Sequence, residues 1–316
     1  VYKRQELAGR LAALPAGARV LLDGLVACGV PEIVLPHARR LRLAVLVHLP
    51  LAAETGLPPA LAADLDARER ATLRAVAAVV ATSPWTARRL TAHHGLDARR
   101  VHTVTPGTDP APVAPAGDGT RLLCVAALSP RKGHDLLVTA LADLGATPWT
   151  CDVVGAPGPD PGWPTRLRRL IDGHGLTGRV RLTGPKAGAE LAAAYAAADL
   201  LVLPSRAETY GMVVAEALAR GVPVLATAVD GVPGTLGRAP DGTVPGMLVP
   251  PENPAALTTA LRHWLGDADL RRRLTASARG RRETLAGWTT TARHMDGVLR
   301  RLHRRPGRTA RAGRTT

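Results

Sequence analysis

The feature that most constrains this chain is a recurring unit. A short, largely apolar run ends at a Pro, Gly, Asp or Ser, and a helical stretch follows. Ala18–Leu22 runs into Asp23-Gly24, Leu43–Val47 into His48-Leu49-Pro50, and Ala77–Ala81 into Thr82-Ser83-Pro84. Val101–Val104 leads to Pro106-Gly107-Thr108-Asp109. Helical patterns fill the gaps at Pro59–Arg74 and from Ser83, a good N-cap with Pro84 at the first helical position, to His93-His94-Gly95. Runs that are apolar throughout, rather than alternating, belong to strands buried on both faces, so they predict a parallel sheet covered by helices.

A second and longer series follows. Its expected strands are Arg121–Ala127, Cys151–Gly155, Val180–Thr183, Leu200–Leu203, Val222–Ala226 and Met247–Val249. Between and after them lie the helical stretches Asp135–Leu144, Thr165–His174, Glu190–Ala198, Met212–Arg220 and Pro254–Leu265. By count this is a full doubly wound unit. The segment 110–120, rich in Pro, Ala and Gly, reads as the linker between the two series. A last helical stretch from Asp267 to Leu302 is broken near Gly287-Trp288. The expected organisation is therefore a first α/β domain at 1–109, a linker at 110–120, a second domain at 121–286, a helix at 287–302 and a basic disordered tail at 303–316. The first unit has no Gly-rich opening turn, and its opening strands are expected to lie outside this chain.

Composition removes several classes of function. With 316 residues and a 46% hydrophobic content, the chain can bury two cores. It has no apolar run near the ~20 residues of a membrane-spanning helix. Cys28, Cys124 and Cys151 lie in or beside apolar stretches without ligand spacing, as buried thiols in a reducing compartment would. The net charge of +15 is concentrated at the end, where Arg293–Thr316 holds eight of the basic residues and one acidic residue. That tail lacks the aromatic interleaving of single-strand binders, so no nucleic acid is expected as a partner. The expected setting is the cytoplasm, with room for peripheral contact between the tail and an anionic inner membrane face.

The residues that carry chemistry cluster in Pro204-Ser-Arg-Ala-Glu208-Thr-Tyr-Gly211-Met-Val-Val-Ala-Glu216. A buried strand ends in a polar loop holding Glu208. A helix then opens near Gly211, and Glu216 comes eight residues after Glu208, about two turns on. The free amides of Gly211, Met212 and Val213 at the helix start favour an anion. Two hydroxyl-binding carboxylates around an anion hole suit a sugar–diphosphate–ribose ligand. Read singly, Glu208 is a helix-start charge and Glu216 a solvated side chain. Arg131 and Lys132, just past another strand end, are phosphate-binding types in a phosphate-binding place, although an exposed basic loop is the plainer alternative. His48 ends a strand and by itself reads as a half-buried histidine. His93, His94, His102, His134 and His174 show no partner spacing. Asp64-Leu-Asp66 and Asp267-Ala-Asp269 fall at helix starts or interiors, where capping and solvation explain them, and no metal is expected. Neither a Gly-x-Ser-x-Gly elbow nor a Walker A loop is present.

The segment from Glu208 to Glu216 resembles the Glu-x7-Glu signature of the retaining, nucleotide-sugar-dependent glycosyltransferases of family 4, which have the GT-B fold. Leu128-Ser-Pro-Arg131-Lys132-Gly133 resembles that family's donor-phosphate loop, and Pro106-Gly-Thr-Asp109 the motif before its linker. Gly184 after Val180–Thr183, with Tyr195 to Asp199, resembles its base-binding strand and next helix. Pro250-Pro251-Glu-Asn resembles the start of its post-sheet helix. Thr209 departs from the pattern, since relatives often carry a smaller residue there.

The resemblance implies an α/β GT-B fold, two doubly wound Rossmann-like domains facing a cleft, the N-terminal one incomplete. It implies hexosyl transfer from a nucleoside-diphosphate sugar, which is a substrate and not a cofactor, to a hydroxyl acceptor: a glycan, a lipid or a small molecule. Retention would follow front-face attack, the departing phosphate taking the acceptor proton. Arg131, Lys132 and the amides of Gly211, Met212 and Val213 would hold the diphosphate in place of a metal. Glu208 would hold sugar hydroxyls, Glu216 the ribose diol, and Gly184 would lie at the base. His48 would face the donor sugar, and Glu54 and Thr55 would line the acceptor side. Two alternatives are a nucleotide-sugar epimerase of the same fold and a truncated, non-catalytic nucleotide-sugar binder.

Overall fold

The structure, a computed structural model, describes residues 2–302; the expected basic tail at 303–316 lies outside them. Two parallel sheets organise the chain. The smaller contains β1 (Arg19–Asp23), β2 (Arg42–Val47), β3 (Ala78–Ala81) and β4 (Val101–Thr103), side by side in chain order. The larger contains β5 (Arg121–Val125), β6 (Thr150–Val154), β7 (Val180–Gly184), β8 (Leu200–Leu203), β9 (Val224–Thr227) and β10 (Gly246–Val249). Its order is β10-β9-β8-β5-β6-β7, all parallel.

That order reverses direction between β5 and β8. In an open α/β sheet such a reversal leaves a crevice beyond the carboxyl ends of the two strands. β8 and β9 are buried along their whole length, as their apolar runs predict. Leu122, Cys124, Val153, Leu200, Val202 and Leu225 share one core with helices 134–142, 163–173 and 254–266. Leu123, Leu201, Leu203, Val224 and Ala226 face the other way, into a core with helices 188–196 and 212–218. This two-faced burial is what continuous apolar strands require.

The smaller sheet is covered differently. Leu43, Val45, Val47, Val79 and Ala81 pack under Leu73 and Leu90 of helices Pro59–Ala75 and Pro84–His94. Ala44, Ala78 and Val80, one residue out of phase, pack instead on Val298 and Leu302, far along the chain. The helix Trp288–Arg301 thus crosses back to close the first sheet. The expected break near Gly287 is present, since helix Ala268–Arg282 ends at Glu283 and the next begins at Trp288. Gly107 lies under this return. A Cβ there would sit 2.4 Å from the Trp288 nitrogen, so the crossing admits only glycine.

Local chemistry fixes the helix ends. Ser83 accepts a hydrogen bond from the Thr86 amide at 3.1 Å, and Gly95 closes the same helix in the left-handed region. Asp267 accepts from the Leu270 amide at 2.9 Å, so that member of the second Asp-x-Asp pair is a cap. The three cysteines are free and buried. Burial pushes the Cys124 thiol up to about 12. Short helices at Gly24–Ala27, Pro31–Val34 and Val232–Leu236 were not foreseen from the sequence; each is too short to show a period. No helix among the described residues is long and apolar enough to cross a membrane.

Candidate active site

The reversal between β5 and β8 places two loops side by side. The β5 loop makes a short turn, Pro130–Lys132, and then Gly133 passes close to the carboxyl end of β8. Gly133 has φ +67, and a Cβ on it would lie 2.0 Å from the Pro204 carbonyl oxygen. The Arg-Lys-Gly sequence is thus built for this approach: glycine lets the backbones touch, and the preceding cations come to the mouth of the neighbouring strand. Arg206 clamps the contact from the other loop. It donates to the Pro130 carbonyl at 2.6 Å and to both Asp135 carboxylate oxygens at 2.8 Å.

Lys132 Nζ donates to Glu208 Oε2, and the Ser205 hydroxyl donates to the same oxygen at 3.4 Å. The Glu208 amide in turn donates to Asp230 Oδ2 at 2.9 Å. Asp230 holds the left-handed conformation at φ 47, and burial pushes its carboxyl above the usual range. Asp230 was missed in the sequence. The signal was the Asp-Gly pair just after β9, the same kind of strand-end punctuation that drew attention to the other loops. Helix 212–218 starts at Gly211, and its first-turn amides lack intrahelical acceptors.

From the other side come the ends of β2, β3 and β4. His48, Thr82 and Pro106 face Lys132, Glu208, Gly211, Met212 and Val213 across a cavity of about 420 Å³. Trp288, Thr291 and Met295 of the returning helix complete its wall. His48 Nε2 lies 3.3 Å from Asp23 Oδ2, at the end of the adjacent strand β1. The parallel register, which pairs Asp23 with Leu46, brings these strand ends together. Thr209 bridges the cleft, its hydroxyl donating to the His48 carbonyl at 2.7 Å. The larger residue at this position thus ties the two walls.

Not every expected residue lines this cavity. Glu216 opens onto an adjoining hollow of about 230 Å³, which shares Met212 and Trp288 with the first and includes Gly107–Pro110. There its Oε2 accepts a hydrogen bond from the Tyr195 hydroxyl at 2.7 Å, and Arg220 stacks over the Tyr195 ring. Arg131 is turned toward Glu54, Nε to Oε1 at 3.3 Å, and toward the Ala207 carbonyl. Glu54 therefore reaches the cleft by pairing with a cation of the other wall. The Thr55 amide donates to Glu54 Oε1 at 3.1 Å, while its hydroxyl is buried without a partner. Gly184, at the end of the outer strand β7, lines neither hollow, because β6 stands between it and the reversal point. Another cavity, of about 400 Å³, lies among Ala114–Gly119, Asp199 and Trp264, away from all of these groups.

The family described as glycosyl transferases group 1 matches residues 108–281, more than half of the chain, and the one described as glycosyltransferase family 4 matches residues 13–112. The chain belongs to the group 1 glycosyl transferases. It is 33% identical over 322 aligned residues to a D-inositol 3-phosphate glycosyltransferase 1 of Catenulispora acidiphila, covering 95% of this chain and 71% of that protein. Across the first curated relatives, this chain spans between 49% and 71% of their length. Among solved structures it superposes on a sucrose-phosphate synthase from Thermosynechococcus elongatus with a TM-score of 0.76 and 25% identity, over 95% of this chain and 77% of that one. It shares its fold with Anabaena HepE, solved with UDP-glucose, at a TM-score of 0.72 and 20% identity, over 88% and 78% of the two chains. The GT-B architecture expected of a group 1 transferase is therefore the one observed, a smaller first sheet and a larger second one.

Proposed function

We propose that this chain carries the machinery of a retaining transferase that moves a hexosyl group from a nucleoside-diphosphate sugar to a hydroxyl acceptor. The observation that carries the reading is the Lys132–Glu208 pair at the reversal point, set against the opening amides of helix 212–218 and facing His48. In such a transfer the bond between the anomeric carbon and the diphosphate oxygen breaks, and negative charge grows on the leaving group. Lys132, Arg131 and the amides of Met212 and Val213 take up that charge, the two cations turning from Glu208 and Glu54 to the phosphates. Glu208 holds hydroxyls of the transferred sugar, with Ser205 beside its carboxylate and Asp230 fixing its backbone amide. Glu216, steadied by Tyr195, takes the ribose diol in the adjoining hollow. The acceptor oxygen enters from the face the diphosphate leaves, and its proton goes to the departing phosphate. His48, held by Asp23, orients the sugar or the acceptor.

A uridine diphosphate sugar is the donor of first choice, because the Anabaena neighbour is solved with UDP-glucose. The test is donor turnover with labelled UDP-hexoses and a panel of hydroxyl acceptors, using the unaltered chain and Lys132→Ala, Glu208→Ala and His48→Ala. Loss of one preorganised donor such as Lys132 lowers turnover by roughly a hundredfold to a thousandfold. Undiminished turnover in all three variants overturns the assignment.

A further inference from the structure

Away from the cleft, the smaller lobe gathers four groups that the sequence leaves unconnected. Asp66 and Glu69 sit one turn apart on helix 59–75, and His93 and His94 end helix 84–94. His93 Nε2 lies 2.5 Å from Asp66 Oδ1. His94 Nε2 lies 3.0 Å from Glu69 Oε2, and both side chains of that pair are 1% exposed. The four share a cavity of about 310 Å³ with Pro50 and Arg89.

With Glu69 on its Nε2, His94 keeps a second ring nitrogen, Nδ1, that is fully buried and has no hydrogen-bond partner. A buried polar atom without a partner is costly and asks for an explanation. Asp66, His93 and His94 each offer one ligand atom, and these atoms all lie within 4.8 Å of one another. The two imidazole rings stand edge to face at 62°, their centres 4.8 Å apart.

We propose that Asp66, His93 and His94 form a binding site for a divalent transition ion of the zinc class, with Glu69 as the group that orients His94. Two imidazoles and a carboxylate suit zinc and its neighbours rather than magnesium or calcium. A carboxylate behind a ligating histidine fixes its tautomer and raises its basicity, which is the place Glu69 occupies. Arg70 holds Asp66 Oδ2 at 2.8 Å and leaves Oδ1 on the histidine side. Tetrahedral zinc at bond lengths of about 2.1 Å needs ligand atoms about 3.4 Å apart. The half-exposed His93, already on Asp66, supplies the adjustment by a rotation of its ring toward His94. The Leu51 amide donates to Glu69 Oε1 at 3.2 Å, so a bound ion would also stiffen the segment that leads to Glu54.

The test is calorimetric titration of the full chain, freed of metal by dialysis against chelator, with zinc, and visible absorption on adding cobalt(II). The expected result is one zinc per chain and a cobalt band of tetrahedral type. Asp66→Asn and His93→Ala each weaken zinc at least about tenfold and abolish the band, as loss of a ligand requires. His263→Ala, on an exposed face of helix 254–266, leaves both unchanged. Both test positions are partly exposed, and thermal unfolding without metal checks that the variants fold. Absence of zinc heat and cobalt absorption, or binding that survives both substitutions, overturns the proposal.

Discussion

The two sheets are built from the same kind of apolar strand, yet they treat their functional groups in opposite ways. In the larger one, strand order reverses, the inner strands are sealed on both faces, and Glu208, the carboxylate at the reversal point, is held entirely by its own lobe. Glu208 has Lys132 and Ser205 on its carboxylate and Asp230 on its amide, and Arg206 locks the two loops. In the smaller sheet the strands follow chain order, and the outer ones, β1 and β4, are only partly buried. Its contributions are more loosely held side chains: His48 beside Asp23, and Glu54 between the Thr55 amide and a cation of the opposite wall. A rigid lobe suits the group transferred, whose charge develops at one place. A loosely held wall suits an acceptor that must enter and leave. The difference places most of the energetic consequence in the larger lobe.

Core substitutions test that asymmetry with the largest expected effect. Leu201→Ala, in fully buried β8, is expected to cost ~2–5 kcal/mol in unfolding free energy. Leu21→Ala in β1, where the side chain is 40% exposed, stays within ~0.5 kcal/mol. Equal losses by denaturant titration break the comparison. Activity should divide along the same line. Lys132→Ala lowers kcat/KM by roughly a hundredfold to a thousandfold, whereas Asp23→Asn, which reaches the cleft through His48 and keeps an oxygen to cap the Leu25 amide, lowers it by about tenfold.

Acid tests the larger lobe through one buried histidine. His134 lies under the Arg-Lys-Gly loop, and burial drives it down from 6.5 to about 4. A depressed value means that the unfolded chain takes a proton before the folded one does. The stability His134 contributes is therefore complete above pH 6.5 and is lost as pH falls toward about 4. His134→Leu should flatten that limb of the melting-temperature profile by a few degrees at pH 5. An unchanged limb contradicts the assignment. The smallest effect is expected at the cleft: Glu54→Gln frees Arg131 from a partly exposed pair and tightens binding of a nucleoside diphosphate by no more than about fivefold, as such pairs are weak.

Much of this was legible in the sequence for physical reasons. Strands buried on both faces announce themselves as uninterrupted apolar runs, and the loops that follow them must meet wherever strand order reverses, so Lys132 and Glu208 converge as their positions imply. Caps such as Ser83 and Asp267 are local and could be read directly. Contacts that depend on register or on a distant helix could not. Asp23 meets His48 because β1 and β2 pair in a particular register, and Glu69 meets His94 because two helices lie side by side. The spacing of His93 and His94 along the chain is silent about partners on another helix. Gly184 follows a strand end like the others, but nothing local says that its strand lies outermost. The returning helix 288–301 was visible as a helix, yet its docking on Ala44 and Val80 belongs to the tertiary structure alone.

The central claim is that a diphosphate is gripped at the reversal point of the larger sheet. A crystal structure with uridine diphosphate tests it most directly. The account predicts the terminal phosphate within hydrogen-bonding distance of Lys132 Nζ and the amides of Met212 and Val213, with the ribose hydroxyls on Glu216. A nucleotide seated elsewhere, with Lys132 still closed on Glu208 and those amides facing water, would contradict it.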